Sequence, residues 1–227
     1  MQPLFTALGL IGVGLLPVAA HAGTTTFTHS IPFLAAISGM TSFTETYEQK
    51  IGTVIKAGDT RDGITYTSFP TGTNGIVDNT FNHLDNSCLQ LQRVGSPDSF
   101  FFPGDSFSVA FSAPVTAVGI FFNANVVDAN GVPINFPDLF ITTPVGSAGT
   151  GGPASNYDQG TFFFAGLVSD TPFTTATFSS LAGSTPFNAD NLTYASKSAV
   201  PEPGSVALVA ACLFPLMALG ARRQRRK

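Results

Sequence analysis

Ser106-Phe107-Ser108-Val109-Ala110-Phe111-Ser112 is a seven-residue alternation. In an extended chain successive side chains point to opposite sides, so Phe107, Val109 and Phe111 fall on one face and Ser106, Ser108 and Ser112 on the other. One face is core and the other is wet, as in an antiparallel sheet covered on one side. Ala113-Pro114 interrupts the pattern, and residues 117–122 (Ala-Val-Gly-Ile-Phe-Phe) resume it as a second, more fully buried strand. The same reading applied outward marks residues 43–47, 63–69, 89–94, 139–142, 161–167, 174–178 and 187–194 as further strands, rich in Phe, Thr and Val. Asp59-Thr60-Arg61-Asp62-Gly63 and Asp128-Ala129-Asn130-Gly131 read as turns. Residues 146–152 are Gly-rich, too irregular for a phosphate cradle and followed by no Lys, so they read as a flexible connection. No apolar period of 3.6 lasts beyond a turn or two. Many short strands without a fixed repeat predict an all-β, single two-sheet β-sandwich rather than a propeller or solenoid.

The two ends of the chain obey different rules. Residues 4–18 are an apolar run, and Ala20-His21-Ala22 places small residues, Ala20 and Ala22, at the two positions a signal peptidase tests. Residues 1–22 therefore read as an export signal, with Gly23 as the mature terminus. At the far end, Val200-Pro201-Glu202-Pro203 is a stiff extended element. It is followed by an apolar stretch over 204–220 and a cationic stop of Arg222, Arg223, Arg225, Arg226 and Lys227. Seventeen residues make a helix of about 25 Å, short against a hydrocarbon core of about 30 Å. Such a span is marginal, and Pro215 weakens it further. Between the signals, residues 23–199 are enough for one domain and carry 13 acidic against 5 basic side chains, a net charge of −8. An acidic domain on the outer side of a membrane is a poor partner for nucleic acid, whose phosphates demand a basic patch.

The tail over residues 200–227 resembles the sorting signal of PEP-CTERM proteins: a Val-Pro-Glu-Pro motif, a hydrophobic span and an Arg-rich end. The resemblance implies a membrane-anchored precursor, an exosortase-type protease that cleaves near the motif, and delivery to the cell surface or exopolysaccharide matrix. An ordinary single-span anchor is the alternative for the same residues. A second resemblance lies in the domain. Phe107-x-Val109-x-Phe111-x-x-Pro114-Val115-x-Ala117-Val118-Gly119-Ile120 and Phe164-Ala165-Gly166 are similar to jelly-roll sandwiches akin to carbohydrate-binding modules, as is Phe187-x-x-Asp190-Asn191-Leu192-x-Tyr194. That resemblance implies a structural calcium held by Asp190 together with Glu45 or Glu48. Calcium takes about six to eight oxygens and tolerates irregular geometry supplied partly by backbone carbonyls, and solvated or turn-forming carboxylates are the other reading.

Catalytic patterns are missing from the sequence. His29 and His83 are the histidines left after residue 22, and there is no His-x-x-x-His, Cys-x-x-Cys or Gly-x-Ser-x-Gly. Cys88 is the one cysteine between the two signals and reads as a small buried residue, with no internal disulfide. The expected function is thus a noncatalytic exported surface or matrix protein, with a calcium-stabilised carbohydrate-binding module as the alternative. Without Trp, the aromatic platform for a polysaccharide falls to Tyr47, Tyr66, Tyr157 or an exposed Phe. Ice binding ranks below both, because Thr24-Thr25-Thr26, Thr65, Thr67 and Thr174-Thr175 keep no sustained period.

Overall fold

A computed structural model describes residues 23–79, 84–93, 100–123, 139–150, 155–157, 160–181 and 186–197. The export signal expected at 1–22, the sorting tail expected at 200–227 and the turn expected at 128–131 lie outside the described residues. The elements run β1 (Thr24–Phe27), α1 (Ser30–Ala36), β2 (Thr41–Glu45), β3 (Val54–Ile55), β4 (Thr60–Arg61), β5 (Ile64–Ser68) and β6 (Thr73–Asp78). They continue as β7 (Cys88–Arg93), β8 (Ser106–Asn123), β9 (Leu139–Thr143), β10 (Gly146–Gly149), β11 (Ser155–Tyr157), β12 (Gly160–Ser180) and β13 (Asn188–Ser196). The described residues are all-β and antiparallel, with one short helix among them.

Its spine is a ribbon of two long strands, β8 and β12, paired from Asn123↔Phe162 at one end to Ser106↔Ser179 at the other. Each half of the ribbon acquires different neighbours. The half containing Phe107 is flanked by β5 on the β8 side and by β9 and then β10 on the β12 side. The half containing Phe121 is flanked by β13 on the β8 side and by β1 and β11 on the β12 side. Strands β7, β6 and β3 extend that half outward, and β2 pairs with the end of β13. Inward faces of both halves meet in one cluster, and a chain of rings crosses it. Phe178 stacks on Phe107 at 4.8 Å, Phe107 tilts onto Phe101 at 5.3 Å, Phe101 stacks on Phe187 at 4.8 Å, and Phe187 meets Phe122 edge-on at 5.5 Å. The alternation in the opening heptad is obeyed: Phe107, Val109 and Phe111 are buried, and Ser112 is exposed.

Ala113-Pro114 does not end the strand, contrary to the sequence reading. Val115 pairs with Phe173 and Ala117 with Val168, and the register shifts between Val168 and Phe173. Ser112, Ala113 and Pro114 are exposed at this irregularity, where a proline lacking its N–H breaks no ladder bond. For the same reason residues 161–167 and 174–178, expected as two strands, are one. The flexible connection expected at 146–152 is also corrected in part: Gly146 to Gly149 pair with Thr143 to Phe140 as an edge strand. An edge strand needs only backbone donors and acceptors, so side-chain patterning gave no sign of it.

Helix α1 lies on the outer face of the ribbon. Phe33 packs against Phe164 and Phe27, with Ala117, Ile37 and Ala195 in the same cluster. Gly119 and Gly166, directly paired across β8 and β12, make the bed for its ring. A Cβ on either glycine would come within 3.0 Å of Phe33 and Phe164 carbons, so neither position has room for a side chain.

Candidate functional site

A groove of about 460 Å³ lies where β2, β13, the β4–β5 turn and the irregular middle of β8 converge. Its construction begins with a two-residue hairpin. Asp62 and Gly63, at φ +43° and +80°, give the left-handed pair that a tight antiparallel hairpin requires, between Arg61↔Ile64 and Thr60↔Thr65. The Gly63 carbonyl accepts the Ser112 amide at 2.8 Å, pinning the turn to the β8 irregularity. The Tyr194 hydroxyl donates to the Asp62 carbonyl. A Cβ at Gly63 would stand 2.6 Å from that hydroxyl oxygen, so glycine is needed here for space as well as for φ.

The floor is aromatic. Phe43 stacks on Tyr194 with ring centroids 5.6 Å apart and planes inclined 23°, and Phe111 tilts against Tyr194 from beneath at 5.2 Å. Tyr194 is held between the other two rings and is 6% exposed, whereas Phe43 is 54% exposed. Burial, with Asp62 and then Glu45 nearby, pushes the Tyr194 phenol above its ordinary pKa, so it stays a neutral hydrogen-bond donor. Hydroxyls of Thr41, Thr44, Ser112 and Ser196 rim the slab. Thr44 is already tied to Thr193, Oγ1 to Oγ1 at 2.9 Å. Asp62 is the one charged residue of the lining. This is a shallow, nearly uncharged trough with a flat ring and several hydroxyl groups. It holds no nucleophile and base in contact.

The carboxylates singled out for calcium occupy a neighbouring corner. Asp190 is fully buried; its Oδ2 accepts the Leu84 amide at 2.8 Å and its Oδ1 the Asn191 amide at 2.8 Å. Burial, aided by the charges of Asp85 and Glu48 and opposed by those two amides, pushes its pKa up to about 7. Glu45 is 1% exposed; its Oε1 accepts the Tyr47 amide at 2.9 Å and the Gln49 side-chain amide at 2.8 Å, while its Oε2 is buried without a hydrogen-bond partner. Glu48 takes the Asn86 amide at 3.0 Å, the Ser87 amide at 3.2 Å and the Asn86 side-chain amide at 2.7 Å. Asp190 and Glu45 both act on the buried Tyr47 phenol, which burial first of all pushes well up. The three carboxylates therefore share a region, and each also serves as an acceptor for turn amides. Among the described residues no group of three or more His, Cys, Asp or Glu side chains is arranged to hold a metal ion. Buried oxygens without donors, Oε2 of Glu45, Oε1 of Gln49 and Oδ1 of Asn191, suit a hard cation chemically.

Two sequence-based platform residues are corrected. Tyr47 and Tyr66 are fully buried, so neither can offer a ring to a ligand. Phe43, on the strand expected at 43–47, is the exposed ring of the groove, the exposed Phe that the sequence left unnamed. A sign of this was present: its neighbours at i±2 on the same strand face are Thr41 and Glu45, which offer it no apolar company. Tyr194 as the ring beneath it carried no such sign, because the pairing of β2 with β13 joins opposite ends of the domain. Cys88 is buried as expected, and burial, with Asp190 nearby, holds its thiol protonated and unreactive. Tyr157, the sorting motif Val200 to Pro203, the basic stop and Ala20 and Ala22 supply no described side chains. No helix among the described residues is long and apolar enough to cross a membrane.

No protein-family model matches this chain, and no curated protein matches it. Among solved structures, the chain is similar to the CBM22-1 xylan-binding domain from Paenibacillus barcinonensis Xyn10C, at 14% identity over 66% of this chain and 99% of that one, with a TM-score of 0.22. A likeness that loose transfers neither a ligand nor a topology.

Proposed function

We propose that this chain is a noncatalytic exported bacterial protein of the cell surface or extracellular matrix, and that the Phe43–Tyr194 groove holds a strand of uncharged polysaccharide. The observation that carries the binding reading is the exposed Phe43 ring, backed by Tyr194 and rimmed by hydroxyls. A pyranose presents C–H groups on its faces and hydroxyls at its edges, and a flat ring flanked by Thr and Ser matches both. Asp62 as the sole charge disfavours anionic chains such as polyuronates. The export reading is supported by the signal at 1–22 and the tail at 200–227, with an exosortase-type protease as processing partner. The fold reading, a jelly-roll-like two-sheet sandwich, is supported by the two halves of the ribbon facing each other across one core.

A glycan array probed with residues 23–199 should report neutral glycans over uronates. Phe43→Ala should weaken the best hit about tenfold or more, the usual cost of removing a central aromatic anchor. Equal binding by wild type and Phe43→Ala would remove the groove from the proposal. The export part is read separately, by intact mass. The surface form should begin at Gly23 and lack Arg222 to Lys227. If those arginines persist on the mature protein, an ordinary anchor replaces the sorting signal.

A second reading of the carboxylate corner, a structural calcium on Asp190 with Glu45 or Glu48, is favoured by the buried, donorless Oε2 of Glu45. In that role the ion would neutralise carboxylates that burial otherwise penalises and would take no part in chemistry.

A further inference from the structure

Helix α1 is unusual for what it shows to solvent. Of its seven residues, Ser-Ile-Pro-Phe-Leu-Ala-Ala, only Phe33 is buried, and no charged residue occurs between Ser30 and Met40. Ile31 is 81% exposed and Leu34, one turn on, is 50% exposed; Pro32 and Ala35 are exposed beside them. Residues three apart lie on one side of a helix, so Ile31 and Leu34 form one outward apolar ridge. A surface helix ordinarily carries charge there.

The position of the chain end says what covers the ridge. The described chain stops at Lys197, whose amide donates to Thr116 Oγ1 at 3.2 Å, and the Thr116 hydroxyl in turn contacts Met40 Sδ, just past α1. The Lys197 ammonium pairs with Asp170 at 2.7 Å, and the Asp170 amide donates to the Gly23 carbonyl at 3.0 Å, so both ends of the domain are fastened beside α1. Ala195, two residues before the exit, packs in the same cluster as Phe33. From Lys197 the apolar stretch at Gly204 is seven residues away, at most about 25 Å of extended chain. With that stretch in a bilayer, α1 is within reach of the lipid surface. The Lys197–Asp170 pair is neutral overall and α1 has no basic residue, so the contact is with the apolar interface and does not depend on anionic headgroups.

We infer that Ile31 and Leu34 are a lipid-contacting foot: while the tail is in the membrane, α1 rests in the bilayer interface. The inference rests on the membrane-anchored precursor proposed above.

The chain contains no Trp, which gives a direct reporter. Three single variants of the exported full chain, Ile31→Trp, Leu213→Trp in the tail and Thr67→Trp on the other half of the ribbon, are reconstituted into phosphatidylcholine vesicles containing lipids brominated at shallow or deep acyl positions. The expected result is strong quenching at position 31 by shallow bromines, quenching at 213 by deep ones and none at 67. Quenching at 213 with none at 31 overturns the foot while leaving the tail in the membrane. No quenching at either site overturns both the foot and the anchored precursor. A blue shift at position 31 that appears without lipid and grows with protein concentration overturns it as well, assigning the ridge to a second copy.

Discussion

Phe107→Ala should destabilise the domain by about 3 to 5 kcal/mol, enough to bring many domains of this size to the edge of unfolding at room temperature. Phe107 is fully buried and touches Phe178, Phe101 and, at 6.2 Å between centroids, Phe69. It stands on the ribbon strand shared by both halves of the fold, so the hole left by its ring has rigid walls on several sides and little freedom to collapse. Urea melts followed by circular dichroism would measure the loss. A change below about 1 kcal/mol would mean that the side chain is not in the core and that the inward face of β8 has been misplaced.

Stability should also fall as pH rises from about 4 to about 7, in chelator, because of Asp190. Its carboxyl titrates near 7 in the folded protein against 3.8 for an ordinary aspartate. Between those values the folded protein keeps a proton that the unfolded chain has released. The stabilisation is complete below the lower value and gone above the upper one, and the slope approaches about 1.4 kcal/mol per pH unit within the window. Asp190→Asn cannot ionise and should flatten the profile. Calcium gives an opposite signature: a bound cation favours the ionised carboxylate, so saturating calcium should raise the melting temperature at pH 7 by several degrees and erase the slope. Coincident melts with calcium and with chelator across this range would return Asp190, Glu45 and Glu48 to the role of turn acceptors.

Those two residues also show what a sequence makes legible. The burial of Phe107 follows from a two-residue period, a local property readable without knowing what lies opposite. The same logic located most of β5, β7, β9 and β13 to within a residue or two at their ends. It was blind where local pattern and tertiary context part. Pro114 looks like a terminator and is absorbed by a bulge. The threonines at the start of β1, unremarkable in the sequence beyond their lack of a sustained period, pair with β12. Asp190 is singled out only through the resemblance of its Asp-Asn-Leu element, and its burial and its bond to Leu84, 106 residues away, belong to the assembled fold. For the groove, Phe43 could have been suspected from its polar strand neighbours. The ring behind it, the hairpin beside it and the hydroxyls around it come from four separate parts of the chain.

The meeting of β2 with β13 has a temporal side. The hydroxyls of Thr44 and Thr193 bond across 149 residues of chain, and a protein crossing a membrane N-terminus first delivers these two strands at the beginning and near the end of its passage. On the proposed export route half of the groove therefore waits, without Tyr194 beneath Phe43, for the last strand to arrive. Closure of such distant pairings is slow, and on that route the early strands stay open-edged outside the membrane in the interval. On the proposed export route the tail follows β13 directly, so completing the fold and presenting the proposed sorting signal would fall within the same few residues of movement. A ligand that needs both Phe43 and Tyr194 cannot be captured before that moment, which on the proposed function would keep the nascent chain from being snared by matrix polymer while still in transit.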